Sequence, residues 1–257
     1  MAYYVSFFNM SSVVSDADLE SAVNDLQLQV SEDFAPAWGV DATIDIGGTG
    51  WPITIVDNPG PNDPQGALGY HSLDTNYNPY GVIFAQLSND NNVPWTGVAS
   101  HELLEMLGDP LTNSTCFIDN GDGTGYIIIQ EVCDPTEQQL YYQKGGTPVS
   151  DFALRGWFIP GYTGQVDFMG AVPGPLQLQS GDYISVDQVT ASTGWQEVTG
   201  DQITRMSKRI RQKIDAVQPP LRQMQHPVRI QALPNGTPKV RSGSQVGAGS
   251  SSQQTRH

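Results

Sequence analysis

Basic side chains are nearly missing from residues 1–200, which carry 25 Asp and Glu against only Lys144 and Arg155, a balance of −23. Such a surface repels phosphates, so this part is no nucleic-acid platform. Residues 201–257 hold ten Lys and Arg against Asp201 and Asp215, a balance of +8, and the net −15 therefore splits into an acidic body and a basic arm. That asymmetry marks an arm that engages something anionic: nucleic acid, another acidic protein surface, or the body itself. Long apolar runs are missing too. No stretch approaches the ~20 apolar residues of a membrane helix, and the opening MAYYVSFFNMSSVV has no cationic segment of a signal peptide. The expectation is synthesis in a cytoplasm and no membrane partner. Cysteine is scarce: Cys116 and Cys133 flank a hairpin and could face each other across it, but reduced thiols are expected in a cytoplasmic chain. There is no phosphate-cradling glycine loop followed by Lys, and no Cys-His or Ser-His pairing with a local signature.

What is present concentrates in Ser100–Pro110, SHELLEMLGDP. Thr96 can cap a helix start, Gly108 can end it in the left-handed conformation, and Pro110 cannot continue it, which predicts a short helix with a sharp stop. His101 and Glu105 are four residues apart and project from one face, one turn apart, near enough to grip one ion, while Glu102 points to the neighbouring face. In the zinc-protease pattern His-Glu-x-x-His the histidines bind zinc and the glutamate takes a proton from the ion's water. Here Glu105 replaces the second histidine; a carboxylate is an ordinary zinc ligand, but it lowers the ion's Lewis acidity. A surface helix with three solvated ionisable residues would give the same match, so the weight falls on its setting. Gly108 stands where the metzincin branch of the zincins has its turning glycine. That branch's third-ligand position is Leu111, which cannot ligate, so Asp109, the nearest carboxylate, is the first choice for third ligand.

Upstream, Tyr3–Phe8 reads as a strand. Ser15 caps a helix with Asp16, Asp18 and Glu20 in its first turn, and the stripe Leu19, Val23, Leu26, Val30, Phe34 runs until Pro36 closes it. Strands follow at Ala42–Ile46 and Trp51–Val56, then a turn-rich loop over 57–66, then ALGYHSLD and YGVIFAQLS as two more strands. Downstream, CFIDNGDGTGYIIIQEV reads as a hairpin turning at Asn120–Gly123. That is a plain turn, since it lacks the alternating oxygens and terminal glutamate of a calcium loop. A strand puts Glu131 and Asp134 on different faces, but a bend before Pro135 could bring both toward the motif helix. LYYQK, GWFIP, LQLQ and DYISV predict short antiparallel strands within 137–200. From Asp201 the spacing of Ile203, Met206, Ile210, Ile214 and Val217 predicts a basic amphipathic helix ended by Pro219–Pro220. Beyond it the Gln, Pro, Ser and Gly-rich chain cannot bury a core and is expected to be disordered alone.

The order strand, long helix, strands, edge strand, strand, motif helix resembles the upper subdomain of zincin metallopeptidases over residues 3–110. The resemblance implies that Gly69, Tyr70 and His71 lie on an edge strand along which an extended substrate adds as a further strand. A lone histidine there is ordinarily a solvated edge residue. More widely, HELLEMLGDP followed by EVCD resembles zincin-like proteins of bacteria and their phages, which carry a His-Glu-x-x-Glu helix ending in Asp-Pro and then a Glu-x-x-Asp segment; the similarity spans residues 1–200. The fold it implies is α+β: a zincin-like body with a mixed sheet, backing helix and metal-site helix in 1–110, short antiparallel strands in 111–200, and a basic helical and extended arm over 201–257. It also implies Glu131 as an additional metal ligand and Asp134 as a carboxylate orienting His101.

Two functions follow. The first is a metal-dependent hydrolase, a zinc peptidase acting on a peptide or protein. One Zn²⁺ or other divalent ion is held by His101, Glu105 and a third carboxylate, Asp109 or Glu131, with Glu102 as general base. The second is a structural component of a phage or virion-like assembly, anchored through residues 201–257, with the metal site silent or merely stabilising. Nucleic-acid binding by the arm ranks last. The arm has no aromatic residue for base stacking, so any such binding would be non-specific and salt-sensitive.

Overall fold

A computed structural model describes residues 2–119, 124–189 and 194–200, together with the backbone of residues 211–212, 226–228 and 239–241. Aromatic and β-branched runs form β1 (Tyr3–Asn9), β2 (Ala42–Ile46), β3 (Trp51–Val56), β4 (Gly69–Leu73) and β5 (Pro79–Phe84). In order β2, β1, β3, β5 these strands lie parallel, and β4 closes the row antiparallel to β5 with His71 opposite Gly81. The sheet is therefore mixed, as expected from the resemblance. Beyond it come β6 (Thr115–Asp119), β7 (Gly125–Ile129), β8 (Gln139–Tyr142), β9 (Pro148–Ser150), β10 (Tyr183–Gln188) and β11 (Trp195–Thr199). β6, β7, β10 and β11 form an antiparallel sheet, and β8 pairs antiparallel with β9. The predicted hairpin is thus present as β6 and β7, while its turn at 120–123 lies outside the described residues.

Three short arm strands, β12 (Arg211–Gln212), β13 (His226–Val228) and β14 (Lys239–Arg241), each add to a different sheet of the body, beside β6, β4 and β8 respectively. The basic helix predicted over 203–217 falls outside the described residues except at Arg211 and Gln212, which are extended. Most of the low-complexity tail also lies outside them. Among the described residues no helix is long and apolar enough to cross a membrane.

Two helices position the site. The backing helix starts as predicted: Ser15 accepts the Asp18 N–H, and α1 (Asp16–Leu28) buries Leu19, Val23 and Leu26. Pro36 does not close it. The backbone passes into a π-helical stretch, Gln29–Phe34, in which the Ala35 N–H reaches back five residues to the Val30 carbonyl. This slipped register lets Pro36 sit in the first turn of α2 (Ala35–Trp38), where its missing N–H costs nothing, and Gly39 at φ 73° ends the run. After β5 the apolar run turns into α3 (Ala85–Asp90) instead of continuing as strand, because the Gln86 and Leu87 N–H groups bond the Asp57 carbonyl.

The motif helix, α4 (Trp95–Gly108), is buried from Thr96 to Leu107, packed between β4 and β5 on one side and β9 on the other. It carries no side-chain cap: Thr96 donates instead to the Pro148 carbonyl at 2.7 Å. Gly108 is the last helical residue and is not left-handed. Glycine is required there for space, since a Cβ would lie 2.9 Å from Val132 Cγ1. GWFIP forms a 3₁₀ turn, Arg155–Phe158, and LQLQ is no strand. Leu176 at φ 54° wraps that segment around Trp157, whose indole donates to the Gln177 carbonyl. One hydrophobic cluster runs from Val5 to Val198 and joins all three sheets.

Candidate metal centre

A helix buried on all sides cannot leave its ionisable residues in water. His101 is 3% exposed, Glu102 0% and Glu105 1%, which removes the reading of a solvated surface helix. Burying charge without partners is expensive, so the question becomes what compensates them. Three segments converge: β4 with His71, α4 with His101, Glu102 and Glu105, and the stretch from Glu131 to Glu137 that links β7 to β8.

α4 is locked in register from behind. Gln29, in the π-helical stretch, accepts from Ser100 Oγ at 2.7 Å and donates to the Ser150 carbonyl at 2.8 Å, while the Ser150 N–H donates to Ser100 Oγ. Gly69 sets the distance to β4: a Cβ there would lie 2.7 Å from Val98 Cγ1. Strand alternation puts His71 on the same face as Gly69, toward α4.

His71 is the main departure from the sequence reading. Far from being solvated, it is 1% exposed and lies among the α4 carboxylates. Its Nδ1 is 2.8 Å from Glu102 Oε2 and 3.5 Å from Glu105 Oε2, and its Nε2 is 3.6 Å from Glu131 Oε2. His101 Nε2 is 3.2 Å from Glu105 Oε1 and 3.5 Å from Asp134 Oδ1. Asp134 therefore faces the same ring nitrogen as Glu105 and not the far side of the ring. The bend before Pro135 is a 3₁₀ turn, Asp134–Thr136, and it brings both acidic residues inward.

Among the described residues, two sets of donors have ligand atoms mutually within 4.8 Å: His71, Glu105 and Glu131, and His101, Glu105 and Cys133. Asp109 belongs to neither. It is buried, and its Oδ2 accepts the Ser114 N–H at 2.8 Å, closing the loop after α4. Tyr70 points away, donating to Asp63 Oδ1. Cys116 and Cys133 are both free thiols.

The electrostatics follow from burial among like charges. Burial opposes a proton on His71, but the Glu102 hydrogen bond and the charges of Glu102, Glu105 and Asp109 outweigh it and raise the imidazole above its usual range. His101 is raised further, burial again being overcome, here by Glu105 and Asp134. Burial raises Glu102, partly offset by His71. Burial and then the Glu105 charge push Asp134 up to about 7 and Glu131 well above the carboxylate range. Burial also raises Glu137, whose two oxygens meet no hydrogen-bond donor among the described residues; Glu102 Oε1 likewise meets none.

This donor set fits a divalent cation. Ligands ~2.1 Å from a tetrahedral ion stand roughly 3.4 Å apart. Around His101 Nε2, Glu105 Oε1 at 3.2 Å and Asp134 Oδ1 at 3.5 Å match that spacing; His71 turns Nδ1 to Glu105 at 3.5 Å and its other nitrogen, Nε2, to Glu131 at 3.6 Å, and an ion there uses one of the two. Sequence reasoning missed His71, Cys133 and Glu137 as members of the cluster. The available signals were the face His71 shares with Gly69 and the position of Cys133 inside EVCD. Comparison with models of protein families, with curated proteins and with solved structures finds no match.

Proposed function

We propose that the chain is a metal-dependent hydrolase with a zincin-like body, acting on an extended peptide. The observation that carries this reading is the placement of Glu102: buried beside His101 and Glu105, held through Oε2 by His71, with Oε1 meeting no donor among the described residues. A divalent ion, zinc for nitrogen, oxygen and thiol donors, would be held around Glu105 by His71, His101, Glu131 and their neighbours. When bound, such an ion polarises the scissile carbonyl and makes water a nucleophile near neutral pH.

The chain's own residues do the rest. Glu102 Oε1 accepts the proton of the attacking water and returns it to the leaving amine. Before an ion binds, His71 holds the Glu102 carboxylate through a 2.8 Å hydrogen bond and favours its ionised form; as a metal ligand its imidazole is neutral. For the substrate, β4 is the outermost strand of the body's mixed sheet, and the chain's own residues 226–228 already add to it antiparallel, with His226 opposite His71. An edge that accepts one extended segment can accept another of similar form. Glu102→Gln is expected to abolish turnover of extended peptides while bound metal, read by elemental analysis, is retained. Turnover by that variant would overturn the mechanism.

A second reading has one observation in its favour. The members of the two donor sets are at most 3% exposed, which suits a closed, stabilising ion better than a catalytic one. Under it the body is a scaffold in a virion-like assembly and the basic arm its anchor. Zinc loading would then raise thermal stability with no peptide hydrolysis in any form of the chain.

A further inference from the structure

We propose that the cluster holds two divalent cations with Glu105 as the bridging carboxylate. This rests on the metal-dependent reading above and goes beyond it in the number of ions and in assigning separate ligand sets.

The two carboxylate oxygens of Glu105 address different imidazoles. Oε1 is 3.2 Å from His101 Nε2, and Oε2 is 3.5 Å from His71 Nδ1. On the His71 side Nδ1 faces Glu105 and Glu102 and Nε2 faces Glu131, so the ion there takes one of the two nitrogens, while Cys133 and Asp134 belong to the His101 side. The two donor sets share Glu105 and nothing else. A carboxylate presenting one oxygen to each of two nitrogen-containing sets is what a pair of ions about 3.5–4 Å apart requires.

Charge leads to the same number. Glu102, Glu105, Asp109, Glu131, Asp134 and Glu137 are all buried. The Lys and Arg of the described body lie elsewhere, Lys144 paired with Glu32 at the surface and Arg155 stacked over Trp38, and within the cluster only His71 and His101 can carry positive charge. With both imidazoles neutral as ligands, one divalent ion offsets two of the six carboxylates and two ions offset four, and the remainder hold the protons that burial favours. Glu137 is the independent sign on the His101 side. It is 2% exposed, and its oxygens have no hydrogen-bond donor among the described residues.

The sets differ in softness. His71, Glu105 and Glu131 offer nitrogen and oxygen, which zinc and manganese both accept. The Cys133 thiol, deprotonated on binding, makes the His101 set favour zinc.

The test is zinc content of the full chain after loading and desalting. Two zinc per chain are expected, falling to one in His71→Ala and to one in Cys133→Ser. One zinc in the wild-type chain, unchanged in Cys133→Ser, would overturn the second ion and leave the hydrolase reading standing; no zinc would overturn both. Should the variants fail to fold, X-ray absorption on the zinc-loaded wild type decides. A zinc–zinc vector at about 3.5–4 Å together with a zinc–sulfur shell is the expected result. Absence of both would overturn the proposal.

Discussion

At the residue scale the cluster depends on two close approaches and one hydrogen-bonded glutamine. Gly69→Ala would place a methyl 2.7 Å from Val98 Cγ1 and 3.0 Å from the Val82 carbonyl, so β4 must move off α4. The expected cost is about 1–3 kcal/mol, with weakened metal binding because His71 moves with the strand; denaturant titration and zinc competition read the two effects. Gln29→Ala leaves Ser100 Oγ and the Ser150 carbonyl without their buried partner. It should destabilise by about 1–3 kcal/mol in the same titration. Asp182 lies outside the cluster and tests the electrostatic argument separately. Burial pushes its carboxyl from 3.8 up to about 6 although it accepts the Gln138 and Gln179 N–H groups. The fold therefore favours the protonated form: its contribution is greatest below pH 4 and is lost as pH rises through 6. Relative to wild type, Asp182→Asn should flatten the melting temperature against pH between 4 and 6. An identical slope in both would contradict the assignment.

At the element scale, much of the architecture was legible because local signals and tertiary demands agree. The Ser15 cap, the Leu19 to Phe34 stripe, the strands β1 to β3 and the β6–β7 hairpin are where spacing and turn chemistry put them, whereas the parallel pairing of β1 to β3 was not written in them. The departures share a cause, which is that tertiary contacts chose among locally permitted conformations. Pro36 signals a helix end, but a one-residue slip into π geometry accommodates it and carries Gln29 into contact with Ser100. Thr96 is a plausible cap in sequence, but Pro148 on the neighbouring strand claims its hydroxyl. The helix carrying the motif was readable, and so was the inward bend at Pro135. The role of His71 was not, because nothing in a five-residue strand says that a helix will cover its edge histidine.

At the scale of the whole molecule, the charge division seen in the sequence has a structural counterpart. The arm, with its balance of +8, lays one short strand against each of the body's three sheets. The segment on β4 occupies the strand where a peptide substrate would add. Among the described residues the hydrophobic cluster runs from Val5 to Val198, so a chain ending at residue 200 is expected to stay folded. If the arm covers the substrate edge, that chain should hydrolyse extended peptides faster than the full one. In the full chain, added salt should raise activity by weakening arm–body attraction. Equal rates at all salt concentrations would separate the arm from the site.

The central claim is a metal centre organised by Glu105. Its most direct measurement is anomalous diffraction at the zinc edge from crystals of the zinc-loaded full chain. The expected result is anomalous density within bonding distance of Glu105, flanked by His71 and His101. A well-ordered Glu105 with no anomalous density beside it would contradict the account, leaving the buried carboxylates to be compensated by protons.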